Sequence, residues 1–234
     1  MFKNLYNYRR YLFESFWTDL RYRYAGTALG FFWVIVTPLL EVLIYAVIFS
    51  QIVSIRSGGD RGISYTLFLT SGLFPFIAFS QMINRGMNAI RVNSVYVRRS
   101  LVPPEAFVFK EALLVGSTFL IYLILLVPIS IFANNPLTWH VLLMPVFAIF
   151  LLVLGFGISL PLANLRILLP DLSEIIPVIL QLWRWTLPIM FTDKNFPVWL
   201  RRLMSLNPPY YFIRSFRDVL IEHIIPPMEA WVSM

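Results

Sequence analysis

Two charged residues fall where charge is expensive. Glu41 lies near the middle of an apolar stretch from Leu29 to Val53, and Arg184 near the middle of another from about Ile175 to Thr192. An isolated ionised side chain at such depth in a bilayer costs roughly 2.5–3.5 kcal/mol on insertion scales, so each needs a partner or water. Their similar depth suggests a Glu41–Arg184 pair, acting as a clamp between helices. Alternatively, Arg184 faces an anionic cargo in an aqueous cavity. Trp183 and Trp185 flank it, and aromatic faces beside a cation suit sugar or pyrophosphate. Adjacent helix positions point in different directions, so the three cannot all line one path.

Other reactive chemistry is sparse. The chain has no Cys, which excludes a disulfide, a thiolate nucleophile and a Cys-ligated metal. His140 and His223 are the only two His and lie far apart in sequence, so no metal site is expected. None of the three Lys (Lys3, Lys110, Lys194) follows a Gly, and no Gly-x-x-x-x-Gly-Lys-[Ser/Thr] occurs. The chain therefore builds no phosphate-binding loop, and ATP-driven work would need an ATPase in trans. No Gly-x-Ser-x-Gly elbow is present either. The expectation is a chain that is not itself an enzyme and carries no cofactor.

Composition supplies the setting. Of 234 residues, 59% are hydrophobic and only 13% charged, against about 25% charged in an ordinary soluble domain. Mean hydropathy is +0.73. So little charge cannot coat a globule or solvate a disordered tail, and the class implied is an all-α integral membrane protein. The net charge of +7 fits anionic membrane lipids and the positive-inside bias rather than nucleic acid. The first 26 residues mix charge with aromatics and show no short apolar core followed by small residues, so no cleavable signal peptide is expected.

A span needs about 20 apolar residues. Five are readable, near 29–53, 63–83, 112–133, 140–163 and 175–192, with Asn134-Asn135-Pro136 dividing the third from the fourth. Pro38, Pro75, Pro128, Pro145, Pro161, Pro177 and Pro188 fall inside them, which predicts kinks where protein covers the freed carbonyls. Basic residues concentrate in 1–26 (Lys3, Arg9, Arg10, Arg21, Arg23) and in 84–111 (Arg85, Arg91, Arg98, Arg99, Lys110), placing both in the cytoplasm. Gly26-x-x-x-Gly30 could permit close helix approach.

The flanking segments read as surface-lying. In 1–26, Phe13, Phe16, Trp17, Leu20 and Tyr24 recur at helical spacing while Arg10, Glu14 and Arg21 fall elsewhere, which predicts an amphipathic helix in the cytoplasmic interface. In 193–234, Val198, Trp199, Leu200, Leu203 and Met204 alternate with Arg201 and Arg202 in one short helix. Asn207-Pro208-Pro209 then offers an N-cap and a first-turn Pro. Beyond it, Phe212, Ile213, Phe216, Val219 and Leu220 oppose Arg214, Asp218 and Glu222. Two short helices dipping into the outer leaflet fit this pattern.

The run from Asp19 through Arg21, Tyr22, Leu29-Gly30 and Trp33 to Pro38 resembles the opening of permease subunits of ABC-type polysaccharide and polyol-phosphate exporters. So do Ser71-Gly-Leu-Phe-Pro-Phe76, the 97–111 stretch around Pro103-Pro104, Asn164 with Asp171-Leu172, and Asn207-Pro208, in the same order. The resemblance implies a half-transporter. A second copy of the chain and two ATP-binding cassette subunits, which bind ATP and Mg, would complete an exporter of a lipid-linked glycan of O-antigen, capsule or teichoic-acid type. The setting would be a bacterial or archaeal cytoplasmic (inner) membrane.

The resemblance also assigns candidate sites. Residues 1–26 and 84–111 would dock on the ATPase, with Arg91, Arg98, Arg99, Pro103 and Glu105 as candidates. Trp33, Tyr45, Phe76, Trp183, Arg184 and Trp185 are candidates for the glycan channel, and the exit gate would use Trp199, Arg201, Asn207, Pro208, Phe212 and Phe216. The family's sixth span would begin where the sequence ends, at Met234. Arg166 and Asp171 stand five residues apart, where many relatives place Arg and Asp together, and Glu41 and Arg184 lie outside the pattern. A permease for a drug or simple lipid, and a polytopic enzyme acting on lipid-linked sugars, are the alternatives.

Overall fold

The structure, a computed structural model, describes residues 8–22, 27, 30–33, 35–40, 43–44, 61–99, 102–190, 197, 199, 204 and 206–233. The described residues form helices and no strand: α1 (Arg9–Tyr22), α2 (Arg61–Val92), α3 (Ser94–Arg99), α4 (Pro104–Phe132), α5 (Met144–Leu168), α6 (Leu172–Trp185), α7 (Pro208–Arg217) and α8 (Met228–Ser233). Short 3-10 turns stand at Gly30–Phe32 and Trp139–Leu143, and a π-turn at Asp218–Glu222. Among the described residues, three stretches are long and apolar enough to cross a bilayer: Tyr65–Val92, Pro104–Phe132 and Trp139–Leu168. This is an all-α membrane protein.

Proline and its neighbours explain several boundaries. Within α2, Pro75 has no N–H to give the Ser71 carbonyl. Side chains add bonds in the turns before it: Thr70 Oγ1 donates to the Thr66 carbonyl at 2.7 Å and Ser71 Oγ to that of Phe68 at 2.9 Å. Pro104 opens α4, where the missing donor costs nothing, and Asn134 ends that helix in the left-handed region (φ 53°). Of the first expected span, 29–53, the backbone is helical at 35–40 and 43–44, and the rest lies largely outside the described residues. The fifth expected span is helical only as α6, 14 residues or about 21 Å. Its continuation at 186–190 is irregular around Pro188.

The chain divides into two compact units. One comprises Met1–Trp33, Ala78–Thr118 and Leu152–Leu182. In it the helices approach through small residues. A Cβ on Gly86 would lie 2.5 Å from Ser159 Oγ, and one on Gly155 would lie 2.9 Å from Met82 Cγ. Gly155, Ser159 and Ala163, four apart on α5, form the small-residue stripe. Gly26, the first residue of the Gly26-x-x-x-Gly30 spacing, lies outside the described residues. A Cβ on Gly30 meets nothing within 4 Å, and its φ of +50° starts the 3-10 turn.

Also in this unit, α1 shows a corrected amphipathic pattern. Leu12 and Leu20 are buried, whereas Phe13 and Trp17 are exposed. Tyr11 meets Phe107 edge-on at 6.5 Å, and Asp19 pairs with Lys110 at 2.6 Å. The helix thus presents Tyr11, Leu12 and Leu20 to protein and Phe13 and Trp17 outward.

The other unit comprises Val34–Ile77, Phe119–Leu151 and Trp183–Met234. Its core is aromatic. Phe216 is fully buried, with ring centroids 5.9 Å from Phe119 and 6.1 Å from Phe147, and Phe74 lies 4.6 Å from Tyr122. An apolar crevice of about 560 Å³ opens between Val36, Leu39, Leu40 and Leu43 and the end of α4 at Leu125, Pro128, Ile129 and Phe132.

Candidate functional site

The expected re-entrant segment forms α7 and the π-turn. Asn207 has extended backbone (φ −100°, ψ 110°), its carbonyl accepts from Tyr210 N–H at 3.0 Å, and Pro208 and Pro209 occupy the first turn. The side-chain cap expected of Asn207 is not formed, and its Oδ1 is buried without a hydrogen bond among the described residues. Phe212, Ile213, Phe216, Val219 and Leu220 are buried as one face. Arg214 and Glu222 are exposed, but Asp218, expected beside them, is buried. The π-turn beginning at Asp218 rotates the chain off the 3.6-residue period, and the Asp218 carbonyl receives N–H groups from both His223 and Ile224.

The sequence pattern overlooked Arg217. Only 8% exposed, its guanidinium sits 3.7 Å from the centre of the Phe68 ring. Nη1 donates to the Pro188 carbonyl at 2.5 Å. Nη2 donates to Ile189 at 2.8 Å and to Phe68 at 3.3 Å. Tyr65 Oη donates to the next carbonyl, Met190, at 2.8 Å. Three consecutive carbonyls of the irregular 186–190 segment thus find side-chain donors, the requirement for non-helical backbone away from water. Tyr65, Phe68 and Gly72 stand at i, i+3 and i+7 on α2 and form the cradle. Gly72 is needed there, since a Cβ would come within 2.9 Å of Arg217 Nη2. The signal in the sequence was an Arg four residues after Ile213 and three before Leu220, on the apolar face of the helix.

The remaining channel and gate candidates are dispersed. Phe76 is 4% exposed, Trp33, Trp183 and Arg184 are half-buried, and Trp185 is 58% exposed. The Arg184 guanidinium lies 5.8 Å from the Trp185 ring, while its Nε is buried with no hydrogen bond among the described residues. Glu41, Tyr45 and Arg201 lie outside the described residues, and with Glu41 the proposed charge pair. Trp199 and Pro208 are exposed. Near the start of α5, Thr138 Oγ1 stands 3.1 Å from His140 Nδ1 and 3.4 Å from His223 Nδ1, uniting the two His that sequence separation had kept apart. Asn135 Nδ2 donates to the Leu220 carbonyl at 2.7 Å.

Among the docking candidates, Arg91 is exposed and Pro103 and Glu105 are half-buried; Arg98 and Arg99 belong to the helical turn of α3. Beside them, Val92, Val95 and Tyr96 are exposed by 76%, 58% and 62%. This apolar group was not expected from charge alone. Lys110 is buried, bonded to Asp19 and 3.4 Å from Asn93 Oδ1, and Arg85 pairs with Glu111 at 2.8 Å. These bonds fix α1 and the α2–α4 connection as one surface.

Comparison with known proteins covers almost the whole chain. Residues 11–221 match the ABC-2 type transporter family. The chain is similar to an O-antigen export system permease protein, RfbA, of Myxococcus xanthus, with 25% identity over 99% of this chain and 88% of that one. A Klebsiella pneumoniae RfbA is 25% identical over 87% and 77% of the two chains. The polysialic acid transport protein KpsM of Escherichia coli is 27% identical over 88% and 79%.

Proposed function

The chain belongs to the ABC-2 type transporter family, and on that premise we propose that it is the membrane-spanning subunit of an ATP-driven polysaccharide exporter. The observation that carries this reading is the end-to-end similarity to permeases of O-antigen and polysialic acid export. The apolar helices give such a subunit its path through the bilayer. The sequence carries no phosphate-binding loop motif, and in this reading a separate ATP-binding subunit holds ATP and Mg.

In this reading the cargo is a lipid-linked glycan moved outward, and two copies of the chain pair with two ATPase subunits in a bacterial or archaeal cytoplasmic membrane. The N-terminus faces the cytoplasm. There α1 and the α2–α4 connection form the docking surface, with exposed Val92, Val95 and Tyr96 as an apolar contact and Arg91 among the surrounding charges. Segment 208–222 works as the gate on the far side.

Co-expression with candidate ATP-binding subunits tests this, with capture through a tag on this chain and assay of ATP hydrolysis in nanodiscs. Stoichiometric co-purification, with hydrolysis that responds to a lipid-linked glycan, is the expected result. A stable oligomer that recruits no ATPase overturns it.

A further inference from the structure

We propose that Arg217 is a positioning residue that locks the re-entrant segment 208–222 and the irregular segment 186–190 into a single gate body, so that opening moves both together. The word gate rests on the exporter reading; the lock itself does not.

The carbonyls of Pro188 and Ile189 belong to a stretch in which Leu187, Pro188 and Ile189 are all buried. The backbone at 186–190 is irregular, and among the described residues these acceptors receive their donors from Arg217. Arg217 meets both with one planar group and reaches Phe68 of α2 with the same Nη2. Pulling segment 208–222 away from 186–190 would strip several charge-assisted bonds at once and leave carbonyls stranded in a dry core. Sliding would fare no better, because the guanidinium is held 3.7 Å from the centre of the Phe68 ring in the space left by Gly72. Separation within this body is therefore costly, and because Tyr65 and Phe68 hold the same two segments, that stretch of α2 belongs to the body and moves with it.

The chain's lack of Cys gives a clean test. A single Leu187→Cys, at a position 3% exposed, is introduced into the full chain and its labelling by a hydrophilic maleimide is timed in nanodiscs. Labelling is measured on the chain alone and on the complex during ATP turnover. With Arg217 in place, labelling stays slow in both settings. Arg217→Lys, which keeps the charge but not the fork, speeds it about ten-fold or more, as loss of a buried charge-assisted bond would allow. Gly72→Ala, which leaves Arg217 intact but crowds Nη2, does the same and stands in if Arg217→Lys fails to fold.

Fast labelling during turnover with Arg217 present overturns the lock, as does slow labelling in both variants. In the complex, Arg217→Lys keeps ATP hydrolysis but lowers glycan exported per ATP about ten-fold, whereas a merely structural role lowers both in proportion to folded protein. Should the exporter reading fail, the complex shows no glycan transport at all while the labelling of the isolated chain still decides the lock.

Discussion

Asp19 and Lys110 are joined at 2.6 Å, with the lysine side chain 5% exposed and the carboxylate 40% exposed. An ion that is buried on one side only is costly to orphan. Asp19→Asn is therefore expected to lower stability by about 1–2 kcal/mol, solvent at the carboxylate keeping it below a fully buried pair. The double change with Lys110→Met should recover part of the loss. Thermal unfolding and proteolytic release of α1 measure it. A double mutant no more stable than Asp19→Asn alone would count against the pair.

Gly86→Ala is expected to destabilise by about 1–3 kcal/mol, because its new Cβ would sit 2.5 Å from Ser159 Oγ and 2.6 Å from Ser159 Cβ. Ser159→Ala leaves the second contact in place. Only Ser159→Gly opens enough room, so Gly86→Ala with Ser159→Gly should restore much of the loss. Denaturation midpoints across these four chains separate the two contacts.

Arg10 and Glu14 form an i,i+4 pair on α1 with side chains 92% and 64% exposed. Replacing either with Gln should change stability by less than about 0.5 kcal/mol. A larger drop in the same unfolding assay would mean that this exposed face is covered in the assembled protein.

The contact of Asn135 Nδ2 with the Leu220 carbonyl ties the loop after α4 to segment 208–222. Asn135→Ala should cost about 1–2 kcal/mol and raise amide exchange across 218–224, which hydrogen exchange with mass spectrometry reads directly. Unchanged exchange there would show that the tie is dispensable.

Exposed Val95 and Tyr96 on α3 provide the direct test of docking. Val95→Ser with Tyr96→Ser should leave the isolated chain folded and reduce ATPase co-purification about ten-fold, in keeping with loss of two apolar anchors. Normal recovery of the ATPase would move the docking surface elsewhere.

Much of the helical frame was legible because apolar length is read directly from composition, and the break at Asn134-Asn135-Pro136 announces itself by residue type. The π-turn was not legible. A 3.6-residue period carried through Arg214, Asp218 and Glu222 put all three on one face, yet Asp218, whose N–H still reaches the Arg214 carbonyl in helical register, is buried at the point where the π-turn begins. The two His looked unrelated because sequence separation hides the fold-level return that brings both to Thr138. Arg217 was missed because side-chain periodicity asks which face a residue is on. Its role depends on the Pro188 and Ile189 carbonyls of an irregular segment 28 to 29 residues away. Gly155-x-x-x-Ser159-x-x-x-Ala163 escaped for a simpler reason: small residues at that spacing acquire meaning only when a neighbouring helix is seen against them.

A π-turn is a helix carrying one residue more than its ladder can use. At Asp218–Glu222 the surplus is absorbed without disturbing Phe212 and Phe216 before it or the left-handed His223 after it. Evolution can therefore add or remove a residue in this turn while the aromatic core stays in register. Related chains aligned with this one are expected to show single-residue length differences within 218–222, and none within α7, from Pro208 to Arg217.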